Sequence, residues 1–146
     1  MFDDRIWPTA APQQRRTRPR LRILVADDET SIRGLMSLVL ARSGYEVDAA
    51  EDGAIAWAAL QAEPYDLLIT DHNMPNVTGV ELVKNLRSAR MALPVVMVTG
   101  TMPSHELAQN PSLQIAATLE KPFAIADLLD TVENVLRATE SPRVAA

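Results

Sequence analysis

Residues 21–28 read LRILVADD, a short apolar run that ends in two adjacent carboxylates. Leu21 to Ala26 has the length and composition of a buried strand, and Asp27 and Asp28 fall at its carboxyl end. The arrangement recurs downstream: Leu67 to Thr70 runs into Asp71, Val95 to Val98 into Thr99, and Thr118 to Glu120 into Lys121. As parallel strands of one sheet, these runs end along a single edge, where open α/β folds bind ligands. Three carboxylates, a hydroxyl and an ammonium then converge.

The segments between the runs have helical period. Ile32, Leu35, Met36, Val39 and Leu40 recur at spacings of three and four, and Gly44 ends that helix. Tyr45 to Ala50 reads as a strand, and Ile55, Trp57, Ala58, Ala59 and Leu60 as a helix stopped before Pro64. The unit repeats with a strand over Asp66 to Thr70, a helix around Val80, Val83 and Leu86, and a strand over Pro94 to Val98. Pro94 can open that strand because the first position need not donate. Pro103 and Pro111 leave room only for a short helix around Ser104 to Gln109. A last strand, Ala117 to Glu120, precedes a terminal helix whose stripe is Ile125, Leu128, Leu129, Val132, Val135 and Leu136. Alternation of five strands with five helices predicts an α/β, flavodoxin-like (βα)5 three-layer sandwich with a parallel five-stranded sheet of order 2-1-3-4-5. Strands 1 and 3 then flank the topological switch point, where Asp27, Asp28 and Asp71 meet.

A chain of 146 residues, 47% hydrophobic, supports one domain with its own core. Residues 1–20 are read as a disordered basic leader, 21–139 as the folded domain and 140–146 as a frayed tail. The leader carries five Arg against Asp3 and Asp4, net +3, which leaves −8 on the rest of a chain whose total is −5. An acidic body does not suit nucleic acid, so no direct DNA binding is expected. Absence of cysteine excludes disulfides, thiolate metal sites and cysteine nucleophiles. With no apolar run near the ~20 residues that span a bilayer and no secretory signal in the first twenty, the expectation is a cytoplasmic protein without membrane insertion.

Clustered carboxylates repel, and a bound cation is the simplest remedy. The oxygen-only donor set favours Mg²⁺ over zinc; His72 follows Asp71 directly, and strand alternation aims it away from the cluster. Asp71 is the candidate nucleophile, since a carboxylate can form an acyl phosphate where cations absorb the transferring charge. Lys121 supplies an ammonium and Thr99 a hydroxyl for phosphoryl oxygens.

The strings ILVADDE (23–29), LLITDHNMPNVTG (67–79), VVMVTG (95–100) and LEKPF (119–123) closely resemble the signature segments of response-regulator receiver domains of two-component signalling. The resemblance runs from about Leu21 to Arg137 and includes the spacing of 22 residues from Thr99 to Lys121. It implies that Asp27 and Asp28 hold Mg²⁺, that Asp71 is phosphorylated, and that the Asn73 backbone carbonyl joins the metal shell. Thr99 and Lys121 then read the phosphate, and Asn73 and Thr101 tune its lifetime. Met74, Pro75 and Gly79 match the loop after the acceptor, and Pro122 and Phe123 the turn into the last helix, where a cis bond precedes Pro122. The implied partner is a histidine kinase or histidine phosphotransfer protein. The implied output is protein contact from a signalling domain, stand-alone or excised from a larger sensor kinase, which assists its own phosphoryl transfer and dephosphorylation without being an enzyme. With a single helix and tail after Lys121, no DNA-binding effector is expected. Homodimers through the last two helices are common in the family, but the two prolines around the fourth helix weaken that transfer. The sequence also departs from the family at Thr118, where receivers commonly carry Tyr or Phe; no ring can turn inward there, and Gly100 to Asn110 becomes the expected moving element. The competing readings are a Mg²⁺-dependent aspartyl-phosphate phosphatase or phosphotransferase, and a phosphorylation-independent adaptor.

Overall fold

The computed structural model describes residues 20–145, with backbone alone from 140 onward. Five strands, β1 (Arg22–Ala26), β2 (Glu46–Ala50), β3 (Leu67–Thr70), β4 (Val95–Thr99) and β5 (Ala117–Glu120), form one parallel sheet of order β2-β1-β3-β4-β5. The helices are α1 (Thr30–Arg42), α2 (Gly53–Ala62), α3 (Gly79–Ser88), α4 (Ser104–Gln109) and α5 (Ile125–Ala145), with a 3-10 turn at Pro111–Leu113. The flavodoxin-like order expected from the alternation is the one observed. Among the described residues no helix is long and apolar enough to cross a membrane.

Alternation along the central strands sorts the core into two layers. Ile23, Val25, Leu67, Ile69, Val96 and Val98 meet α1 through Met36 and Leu40, and α5 through Leu128 and Val132. Their neighbours Leu24, Ala26, Leu68, Val95 and Met97 face α2 and α3 through Ala56, Leu60, Val80, Val83 and Leu86. Burial on both faces is why β1, β3 and β4 read as unbroken apolar runs.

Boundaries differ in small ways that have causes. Pro94 lies outside β4, yet its carbonyl accepts from Leu68 N–H at 3.0 Å, so it joins the ladder as an acceptor. Thr99 is the last residue of β4, paired with Glu120, rather than the first residue after it. Leu35, Ile55 and Ile125, expected on apolar faces, are exposed, because each lies off the arc of its helix that reaches the sheet. The α5 backbone stays helical to Ala145, past Thr139, where a frayed tail was expected. The basic leader lies outside the described residues except for Arg20.

Two arginines brace the scaffold. Arg22, at the start of β1, has Nη2 at 2.8 Å from Asp48, Nη1 at 3.2 Å from Glu63 and Nε at 3.6 Å from Glu46. Its guanidinium also stacks 4.9 Å from the Tyr65 ring, whose hydroxyl donates to Asp48 at 2.7 Å. Arg87, near the end of α3, donates to the carbonyls of Met91, Leu93 and Leu113 at 2.8 Å each, and of Gln114 at 3.3 Å. It thereby ties the irregular passage from α4 into β5 to α3, although burial lowers its pKa.

Arg87→Ala leaves these carbonyls short of donors and is expected to cost about 2–4 kcal/mol in urea denaturation. Burial, followed by the bond to Asp48, pushes the Tyr65 hydroxyl from 10.0 up to about 12. The folded state therefore holds this proton more tightly than the unfolded chain, and that stability is full below pH 10 and lost as pH rises through 12. Tyr65→Phe is expected to flatten the loss of stability over this window in alkaline melts.

Candidate functional site

The ladder continues one residue beyond three strands. Asp27 N–H donates to Ala50 O at 3.1 Å, Asp71 N–H to Ala26 O at 2.9 Å, and Lys121 N–H to Thr99 O at 3.0 Å. The backbone of each functional residue is therefore fixed by its neighbouring strand before any side chain interacts.

Asp27, Asp28 and Asp71 offer oxygens within 4.8 Å of one another, the carboxylate cluster found among the described residues. Asp27 is fully buried, Asp71 nearly so, and Asp28 exposed. Asp71 Oδ1 accepts from the backbone N–H groups of His72 at 2.6 Å and Asn73 at 3.3 Å, while Oδ2 accepts from Lys121 Nζ at 3.1 Å. Asp27 Oδ1 accepts from Glu29 N–H at 2.9 Å. Asp27 Oδ2 lies 2.8 Å from Lys121 Nζ, a close ion pair that lacks hydrogen-bond geometry and leaves the oxygen otherwise unpartnered. Burial raises the Asp27 pKa, the Asp71 charge adds to the rise, and Lys121 opposes it. Burial works against the Lys121 charge, but Asp27, Glu29 and Asp71 outweigh it and hold the ammonium above its ordinary value. An all-oxygen set with a half-satisfied buried carboxylate suits a hard divalent cation such as Mg²⁺.

A cleft of about 500 Å³ opens over these groups, lined by Asp28, Asp71, Asn73, Thr99, Thr101 and Lys121 among others. Thr99 Oγ1 is buried without a hydrogen-bond partner. Thr99 thus offers a donor uncommitted within the protein, in the cleft it shares with Asp71.

The remaining sequence expectations fall around this centre. His72 points away, its Nδ1 accepting from Val80 N–H at 3.3 Å and its Nε2 lying 3.7 Å from Glu106. Asn73 borders the cleft, Met74 is buried in the core, and the Lys121–Pro122 bond is cis. A Cβ on Gly79 would collide with the Asp71 carbonyl, so glycine lets α3 begin directly against the end of β3. Thr78 and Glu81 close a reciprocal capping box there. Thr118 is exposed beside a cleft of about 320 Å³ bordered by Leu107, Leu113 and Ile115. Sequence reasoning missed Glu29, whose Oε1 accepts from Lys121 Nζ at 2.8 Å. The acidic run Asp27-Asp28-Glu29 was its available signal.

Comparison with known proteins agrees with this geometry. Residues 23–133 match the family model described as the response regulator receiver domain. The response regulator receiver protein CpdR of Brucella abortus (strain 2308) is 35% identical over 120 residues, covering 80% of this chain and 98% of that protein. The sensor protein EvgS of Escherichia coli (strain K12) is 39% identical over 112 residues, 77% of this chain; the chain matches only 9% of that protein's length. Among solved structures, the response regulator TrrA of Thermotoga maritima, in complex with Mg(2+)-BeF, superposes with a TM-score of 0.70. It has 32% identity, and the match covers 79% of this chain and 98% of that one. By sequence over most of its length and by fold, the chain belongs to the response regulator receiver domain family.

Proposed function

We propose that Asp71 is the phospho-acceptor of this receiver domain, charged by a phosphohistidine on a histidine kinase or histidine phosphotransfer protein. The observation that carries the assignment is the pairing, over one acidic cleft, of an unpartnered buried Thr99 hydroxyl with a Lys121 ammonium 3.1 Å from Asp71. Both are donors suited to an anion that would sit on the acceptor. Likeness to a segment of a sensor protein and to a whole receiver protein supports a phosphorelay partner. Signalling then proceeds by protein contact.

In the transfer step, a carboxylate oxygen of Asp71 forms a bond to phosphorus as the P–N bond to the donor imidazole breaks. The electron pair leaves on the imidazole nitrogen, which takes a proton from solvent. Backbone N–H groups of His72 and Asn73 hold the other face of the carboxylate in place. Thr99 and Lys121 receive the oxygens of the arriving group. Asp27, Asp28, Asp71 and the Asn73 carbonyl are the groups that would hold Mg²⁺, which supplies neutralisation of the phosphoryl and carboxylate charge. The cleft is open, as a protein donor requires, and α1, which starts beside it, leaves Leu35 and Leu38 exposed as apolar contact surface.

Incubation with Mg²⁺ and a small acyl phosphate should add one phosphoryl group to the wild type by intact mass and none to Asp71→Asn. Lys121→Ala should still be modified in part while losing the conformational response seen by hydrogen exchange over Gly100 to Asn110. An unmodified wild type would refute the assignment. Because burial raises the folded-state pKa of Asp27, its ionised form opposes folding. The stability associated with its proton is full below 3.8 and lost as pH rises through the raised value. In metal-free buffer at neutral pH, Asp27→Asn should therefore melt about 2–5 °C above wild type. The same variant should lose most of the upward shift that Mg²⁺ gives the wild type.

A further inference from the structure

We propose that Glu29 is a positioning residue that holds the Lys121 ammonium in reserve, and that a phosphoryl group on Asp71 competes with it for that ammonium. The inference rests on Asp71 as acceptor and concerns what sets the strength of phosphoryl capture.

A lysine ammonium has three N–H donors. In this protein Nζ donates to Glu29 at 2.8 Å and to Asp71 at 3.1 Å, and it lies 2.8 Å from Asp27 Oδ2 as a close ion pair. Three carboxylates thus crowd one ammonium, and a phosphoryl oxygen that binds it competes with all three. Asp27 and Asp71 belong to the cluster that can share a divalent cation, and such a cation relieves their demand on Lys121. Glu29 stands outside that cluster. Its carboxylate is the competitor that remains.

The placement of Glu29 argues for the same role. It occupies the N-cap position of α1 with extended backbone, yet its side chain makes no cap hydrogen bond. Its backbone N–H is already committed to Asp27 Oδ1 at 2.9 Å. The side chain, more than half exposed, reaches instead across to a residue 92 positions away in the sequence. An exposed, partly solvated ion pair of this kind is weak enough to exchange and strong enough to bias the exchange.

The test is a beryllofluoride titration at fixed Mg²⁺, followed by fluorine NMR of the bound anion, on wild type, Glu29→Gln and Glu29→Asp. Glu29→Gln should bind about two- to five-fold more tightly. Its melting midpoint without ligand should match wild type, since the side chain caps nothing. Glu29→Asp keeps the charge and withdraws it by one methylene, so it should follow Glu29→Gln. Equal affinity of wild type and Glu29→Gln overturns the proposal. Wild-type affinity in Glu29→Asp beside tighter binding in Glu29→Gln also overturns it, since charge at a distance would then account for the gain. Wild type that binds no beryllofluoride overturns the acceptor assignment together with this inference, whereas the first two outcomes remove this inference alone.

Discussion

Everything functional in this domain depends on backbone hydrogen bonds that run one residue past the strands. Asp27, Asp71 and Lys121 are each pinned through their own N–H to the neighbouring strand, so their positions follow the sheet register. That constraint forces like charges together at the switch point, an arrangement that side chains alone would not hold. The sheet can impose it because its central strands are buried on both faces, and each fully buried Leu or Ile adds roughly 1.5–3 kcal/mol. Apolar burial thus holds an electrostatically unfavourable edge in place.

The edge is also where the chain gives up internal satisfaction. Lys121 is shared among three carboxylates, while Thr99 Oγ1 has no hydrogen-bond partner and Asp27 keeps one oxygen without hydrogen-bond geometry. Elsewhere the same protein satisfies its polar groups closely, as Arg87 does with four carbonyls. Concentration of imbalance at one cleft separates the site from the scaffold on physical grounds, independently of any resemblance.

What was legible in the sequence follows from how local each signal is. β1, β3 and β4 announce themselves as apolar runs, and each leads to a polar residue whose place follows from topology alone. The edge strands, EVDAA and ATLE, carry weaker patterns because one side of each lacks a strand neighbour. Leu35, Ile55 and Ile125 misled because an apolar residue at helical spacing need not lie on the buried arc. Glu29 and Arg87 were illegible for a different reason. One finds its partner 92 residues away, so the acidic run that contains it does not reveal the pairing, and the other binds carbonyls, which every residue has.

The Thr99 hydroxyl bears on how the proposed phosphoryl mark would be sensed. Thr99 lines the cleft and its hydroxyl has no partner within the protein, so it is free to bond what occupies that cleft. An anion in the cleft would favour any conformation that brings this hydroxyl onto it, and a differential of about 1–3 kcal/mol shifts a two-state population by roughly 5- to 150-fold. With no aromatic side chain at Thr118, the proposed phosphoryl mark would have to work through contacts of this kind.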